Sequence, residues 1–119
     1  MGGMMRMKTG LGVKFGSFDE FLEKYPEPVL VDFYATWCGP CQLMQKELKK
    51  LSDDEELAGV LKVAKIDVDK YPALGSKYDV EGLPTTILFH KGEVKHRFVG
   101  LVSSEQILYE LTPFLKSGK

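Results

Sequence analysis

Val29-Leu30-Val31-Asp32-Phe33-Tyr34-Ala35-Thr36-Trp37-Cys38-Gly39-Pro40-Cys41 is the stretch that decides the fold. Its first seven residues make a nearly unbroken apolar, β-rich run, the pattern of a strand covered on both faces of a sheet. Asp32 is the misfit in that run. From Gly39 onward the pattern turns helical: Leu43 or Met44, then Leu48 and Leu51, recur every three to four residues, while Lys46, Lys49 and Lys50 face water. The helix is expected to fade near Ser52. A buried strand therefore runs directly into a helix, and two cysteines stand at the junction.

Working outward, Asp53 to Glu56 reads equally well as a short helical piece or a solvated acidic turn. Leu61 to Val68 alternates, with Leu61, Val63 and Lys65 on one face and Ala64, Ile66 and Val68 on the other, which marks a second central strand. Tyr71 to Tyr78 suits a short helix. Thr85 to His90 and Glu93 to Val99 read as strands joined at Lys91-Gly92, and Ser103 opens a final helix with Gln106 three residues after the cap and a Leu108, Leu111, Leu115 stripe. Upstream, Leu11 to Phe15 reads as a short edge strand. Ser17-Phe18-Asp19-Glu20 is a capping box for a helix through Lys24, ended by Pro26 and Pro28. The order β-α-β-α-β-α-β-β-α predicts an α/β fold: a mixed central sheet of four to five strands with helices on both faces.

At 119 residues the chain fits one domain, expected over residues 10–117. Residues 1–9 read as a disordered tail, left after removal of a targeting segment or added artificially. Sixteen basic against 17 acidic side chains leave a net charge of −1, which gives no electrostatic case for nucleic acid or an anionic membrane as partner. No apolar run approaches the ~18 to 20 residues of a membrane span. Two cysteines are too few for a disulfide scaffold, so their use is chemical or metal-binding before it is structural.

Trp37-Cys38-Gly39-Pro40-Cys41 carries the chemistry. Residues three apart at a helix start have Cβ atoms about 5 to 6 Å apart, near enough for a disulfide that opens and closes without refolding. Cys38, at the helix N-terminus, meets unpaired N–H groups and the positive end of the dipole, which favour the attacking thiolate. Cys41, one turn inside, is expected to be more buried and suits the second, resolving step. Pro40 has no N–H to leave unpaired in the first turn.

With these residues in place the chain resembles thioredoxins, over roughly Phe15 to Leu115, and most of all the plastid thioredoxins of the y type. Val31-Asp32-Phe33-Tyr34-Ala35, Val63-Ala64-Lys65-Ile66-Asp67 and Gly82-Leu83-Pro84-Thr85 join the cysteine motif in carrying the likeness, as do Gly92 and Gly100 at matching spacings. The resemblance implies a thioredoxin fold and a protein-disulfide reductase with no cofactor beyond a Cys38-Cys41 disulfide. It implies that Asp32 shuttles a proton to and from Cys41, with Lys65 moderating its pKa; without the cysteines the two would read as a structural ion pair, or Lys65 as an exposed edge residue. It also implies a cis bond before Pro84, backbone pairing of substrate at Leu83, and an exposed apolar docking surface of Trp37, Gly39, Pro40, Leu83, Pro84, Val99 and Gly100. Lys46 stands where many thioredoxins carry a helix-bending proline, so a straighter helix is expected. Tyr34 replaces a common tryptophan.

Three rivals are weighed against this reading. An oxidase or isomerase shares the fold, but Gly39-Pro40 resembles reductants. A zinc site lacks half its ligands, since only His90 and His96 remain, and both are expected on solvated strand faces. A binding subunit that merely uses the surface would not need both cysteines and Asp32. Gly10-Leu11-Gly12 misses the dinucleotide spacing and no P-loop is present, so electrons must come from another protein. The expected partners are a thioredoxin reductase, ferredoxin- or NADPH-dependent, and disulfide-containing targets such as peroxiredoxins. The chain is expected to act as a monomer in a reducing compartment, the plastid stroma or alternatively the cytoplasm.

Overall fold

The computed structural model describes residues 7–8 and 14–115. In chain order, β1 (Met7–Lys8) and β2 (Lys14–Phe15) pair antiparallel in a sheet of their own. The edge strand expected over Leu11 to Phe15 is therefore an arm outside the main sheet, because the edges of that sheet belong to other strands; residues 11–13 lie outside the described ones. So does most of the expected tail, within which only Met7–Lys8 is placed.

Helix α1 (Phe18–Lys24) starts as its capping box predicts: the Glu20 amide donates to Ser17 Oγ at 3.0 Å. The reciprocal bond goes one residue further back than usual, with the Gly16 amide donating to Glu20 Oε1 at 2.7 Å. Next come β3 (Val29–Tyr34), α2 (Gly39–Ser52), a 3-10 turn at Glu55–Leu57, β4 (Lys62–Asp67), α3 (Pro72–Lys77), β5 (Thr85–His90), β6 (Glu93–Val99) and α4 (Ser104–Leu111). Asp54 caps the 3-10 turn by accepting from the Glu56 amide, so the acidic stretch is a short helical piece. The main sheet has the order β4-β3-β5-β6, with β3 parallel to β4 and the other pairs antiparallel. Lys91 and Gly92 make the β5–β6 turn, both at positive φ, as two-residue hairpins require.

Alternation along the strands splits the core into two layers. Val29, Val31, Phe33, Ile66, Ile87 and Phe89 pack against Phe18, Phe21 and Leu22 of α1. Leu30, Leu88 and Phe98 pack against Met44, Leu48 and Leu51 of α2 and Ile107 and Leu111 of α4. Helices thus cover both faces, and the architecture is that of the thioredoxin fold. Met44 is the core residue of the Leu43/Met44 choice, fully buried while Leu43 is half exposed. The fully buried residues of α4 are Ser104, Ile107 and Leu111, and the expected Leu108 and Leu115 are partly buried against the same core, Leu115 following a 3-10 turn over Thr112–Phe114 that succeeds the α-helix. Helix α2 is continuous from Gly39 to Ser52, through Lys46.

Candidate active site

Strand β3 delivers the site. Leu30, Asp32 and Tyr34 share the face turned to α2, since successive side chains alternate; Leu30 packs with Met44, and Tyr34 borders the small cluster of Ala35, Cys38 and Cys41. After β3 the Cys38 amide donates to the Ala35 carbonyl at 3.2 Å, and Cys38 becomes the N-cap of α2 with extended backbone. Its Sγ accepts from the Cys41 amide at 3.2 Å, so a sulfur takes the place usually held by a serine or aspartate oxygen. Cys38 and Cys41 are joined as a disulfide, their Cα atoms 5.3 Å apart.

The two sulfurs have different surroundings. Cys41 is fully buried. Cys38 is 5% exposed and lines an open pocket with Trp37, Gly39, Pro40, Val68, Val80, Glu81 and Leu83. Access to the pair therefore runs through Cys38.

Asp32 is 1% exposed, and neither of its carboxylate oxygens has a hydrogen-bond partner in the protein. Burial raises its pKa from 3.8 to about 7, against a lowering contribution from the Lys65 ammonium. Lys65 stands opposite Asp32 in the parallel β3–β4 register, and its exposed side chain reaches over the Tyr34 ring, 5.6 Å from the centroid. An Asp32-lined pocket opens between α2 and β4, bordered by Gln42, Gln45, Lys46, Lys49 and Lys65, so the carboxyl lies next to an aqueous opening despite its burial.

The Leu83–Pro84 bond is cis, as the resemblance implied, and Leu83 packs against the cysteine cluster. The expected docking surface needs one correction: Pro84 is buried and Leu83 half-buried, whereas Trp37 is 71% and Val99 67% exposed. Pro84 is covered because its carbonyl accepts from the Gly100 amide at 2.8 Å, which latches the end of β6 onto the loop. Gly100 holds φ +88°, a conformation side chains rarely adopt. Val99 comes to the site from the far side of the same loop, beside Gly82.

Sequence reasoning passed over several residues. Trp37 Nε1 donates to Asp69 Oδ2 at 2.9 Å, which fixes the indole at the rim. Asp69 is itself placed by a turn in which its amide donates to Asp67 Oδ1; the paired aspartates after β4 were the available signal. Val68, Val80 and Glu81 complete the pocket wall. His96 does not lie on a solvated face: it is half-buried against Phe98 and Phe114, with Nε2 2.7 Å from Glu110 Oε1, because its strand face turns toward α4. Among the described residues no group of three or more His, Cys, Asp or Glu is arranged to hold a metal ion.

The family model described as Thioredoxin matches residues 11–112. The chain is 47% identical over 105 residues to the chloroplastic thioredoxin Y of Oryza sativa subsp. japonica, covering 88% of this chain and 61% of that protein. It is 51% identical over 94 residues to the chloroplastic thioredoxin Y2 of Arabidopsis thaliana, covering 79% of this chain and 55% of that protein. The chain thus spans little more than half the length of these two relatives. A solved structure of a mutant thioredoxin from Halobacterium salinarum superposes with a TM-score of 0.73 at 36% identity, covering 84% of each chain.

Proposed function

The chain belongs to the thioredoxin family, and from that premise we propose that it is a protein-disulfide reductase working by dithiol–disulfide exchange as a single domain over residues 10–117. The observation that carries the proposal is the asymmetry of the bonded pair: Cys38 caps α2 at an open, apolar-rimmed pocket while Cys41 is sealed behind it.

In the reduced protein the Cys38 thiolate, favoured by the helix N-terminus and the Cys41 amide, attacks one sulfur of a substrate disulfide. A mixed disulfide forms and the first substrate thiolate leaves, taking a proton from solvent. The Cys41 thiol then gives its proton to the Asp32 carboxylate and attacks Cys38 Sγ. The Cys38–Cys41 disulfide forms, the second substrate thiolate leaves and takes a proton from solvent, Asp32 returns its proton to solvent, and two electrons have passed to the substrate. A carboxyl with a pKa near neutrality suits this transfer, since it gives and accepts protons at working pH with little cost either way. Lys65 keeps that value from rising further. Trp37, Gly39, Pro40 and Leu83 line the opening at Cys38, Val99 and Gly100 extend the proposed substrate surface beyond it, and the backbone of Leu83 suits strand-like pairing with the substrate.

A thioredoxin reductase recharges the pair, and disulfide-bearing proteins receive the electrons. The chloroplastic relatives support the plastid stroma as location, with a ferredoxin-dependent reductase as donor and peroxiredoxins among the targets; an NADPH-dependent donor and the cytoplasm are the alternative. Among the described residues no helix is long and apolar enough to cross a membrane. Insulin disulfide reduction, with each reductase supplied in turn, tests the proposal. Wild type should reduce insulin with one donor and Cys38→Ser with neither. Cys41→Ser should accumulate mixed disulfides through Cys38; capture of substrate by Cys41 in the Cys38→Ser protein would reverse the assignment.

A further inference from the structure

Thr86 is a buried polar residue that neither the core nor the exchange cycle accounts for. It stands on β5 directly opposite Asp32 on β3 in the antiparallel register, is fully buried, and its Oγ1 lacks a hydrogen-bond partner in the protein, as do both oxygens of Asp32. Opposed residues in such a pair share a face, with Cβ atoms about 5 Å apart, so their polar ends are within reach of each other. The strand residues that share this face are apolar, with Leu30 and Leu88 on the same two strands and Phe98 on β6, and Met44 of α2 packs with them. Buried hydroxyls in native proteins are nearly always bonded, and valine would fill this space without needing a partner. A rotation of the Thr86 side chain between staggered wells, or a single water between the two groups, is enough to join them.

We propose that Thr86 is a positioning residue for the proton relay, its hydroxyl donating to one Asp32 oxygen so that the carboxylate is held in place with the other oxygen free for the Cys41 proton. The hydroxyl is both donor and acceptor, so it serves the ionised carboxylate and, after the proton arrives, the neutral acid as well. This rests on reading Asp32 as the relay. The other charged and titratable groups around Asp32 are Lys65 from β4, Tyr34 from its own strand, and Lys46, Lys49 and Asp53 from α2 and its end, joined in the reduced protein by the Cys41 thiol of α2. On β5 the titratable group is His90, at the far end of the strand, so Thr86 is that strand's contribution.

Carbon-detected NMR of the reduced protein, labelled at aspartate carboxyl groups, follows the Asp32 titration directly, and single-turnover resolution of a mixed disulfide gives a pH profile. Removing a donor to the carboxylate disfavours its ionised form. Thr86→Val should therefore move the Asp32 titration upward by about one pH unit, the profile moving with it, while Thr86→Ser stays near wild type. Thr86→Ala carries the same expectation should valine disturb the packing. A titration unmoved in both hydroxyl-free variants overturns the proposal, even where Asp32→Asn slows resolution. If Asp32→Asn resolves as fast as wild type while Thr86→Val still moves the titration, the hydroxyl–carboxylate bond stands and the relay reading falls.

Discussion

Lys65 lies directly across from Asp32 in the parallel β3–β4 pair, yet its ammonium rests over the Tyr34 ring and no hydrogen bond reaches the carboxylate. Its influence on Asp32 is therefore exerted through space, from an exposed position beside a pocket open to water. Such an interaction is weakened by salt, because ions gather around the exposed partner. Lys65→Met should raise the Asp32 titration by about half a pH unit in dilute buffer and by less in ~0.5 M salt. The slow step of mixed-disulfide resolution should shift with it. A shift of equal size at both ionic strengths would show that Lys65 acts by packing against Tyr34 instead.

Asp32 also makes a definite contribution to stability. Its folded pKa, about 7, lies above the unfolded value of 3.8. Below the lower value both states carry the proton; between the two the unfolded chain ionises while the native carboxyl stays neutral, so stability falls as pH rises and levels off above pH 7. Asp19, Glu20, Glu47, Glu93 and Glu110 have lowered pKa values and act in the opposite sense at lower pH, losing stability as pH falls. Across about pH 5 to pH 7 Asp32 is the carboxyl whose raised pKa bears on stability, so a comparison of wild type with Asp32→Asn over that interval reports on it. Urea denaturation of the oxidised proteins should show wild type losing stability relative to Asp32→Asn through this interval, the variant reaching a gain of about 2 to 4 kcal/mol over wild type at pH 8. A wild-type profile that rises relative to the variant's through this interval would contradict the buried, neutral Asp32.

What the chain disclosed in advance followed how local each feature is. The cysteine pair, the Ser17 cap, the β5–β6 turn and the bounds of β5 and β6 depend on neighbours within a few residues, and the structure places them as read. Asp32 stood out because one charged residue interrupts an apolar run. The partners of these residues were not legible, since they are brought in by register between distant strands: Thr86 meets Asp32 only through the β3–β5 ladder, and Asp69 meets Trp37 across 32 residues. His96 was misplaced for a related reason, as four of the seven residues of β6 are polar or charged and the face that carries His96 is shown to be an inner one only once α4 folds over it. Along α4 the leucine stripe marked the core-facing side, with Leu111 buried and Leu108 and Leu115 partly buried, but counting leucines missed Ser104 and Ile107, which are buried more fully than Leu108 and Leu115.

The last consequence concerns how substrate is received. Trp37 is the chain's single tryptophan, 71% exposed, and its indole N–H is tied to Asp69 at 2.9 Å. A large apolar ring held in one orientation at the pocket rim offers contact area without losing freedom on binding, which is the usual advantage of a preorganised contact. Asp69→Ala removes the tether and leaves the sulfurs and Asp32 untouched. It should raise the KM for a protein disulfide by about three- to tenfold, corresponding to roughly 1 kcal/mol of ordering cost, with kcat close to wild type. Tryptophan anisotropy decay supplies the direct readout, since the freed ring should gain fast local motion. An indole equally rigid in the variant would mean that packing alone positions Trp37. A loss confined to kcat would place Asp69 in the chemistry of exchange rather than in the reception of substrate.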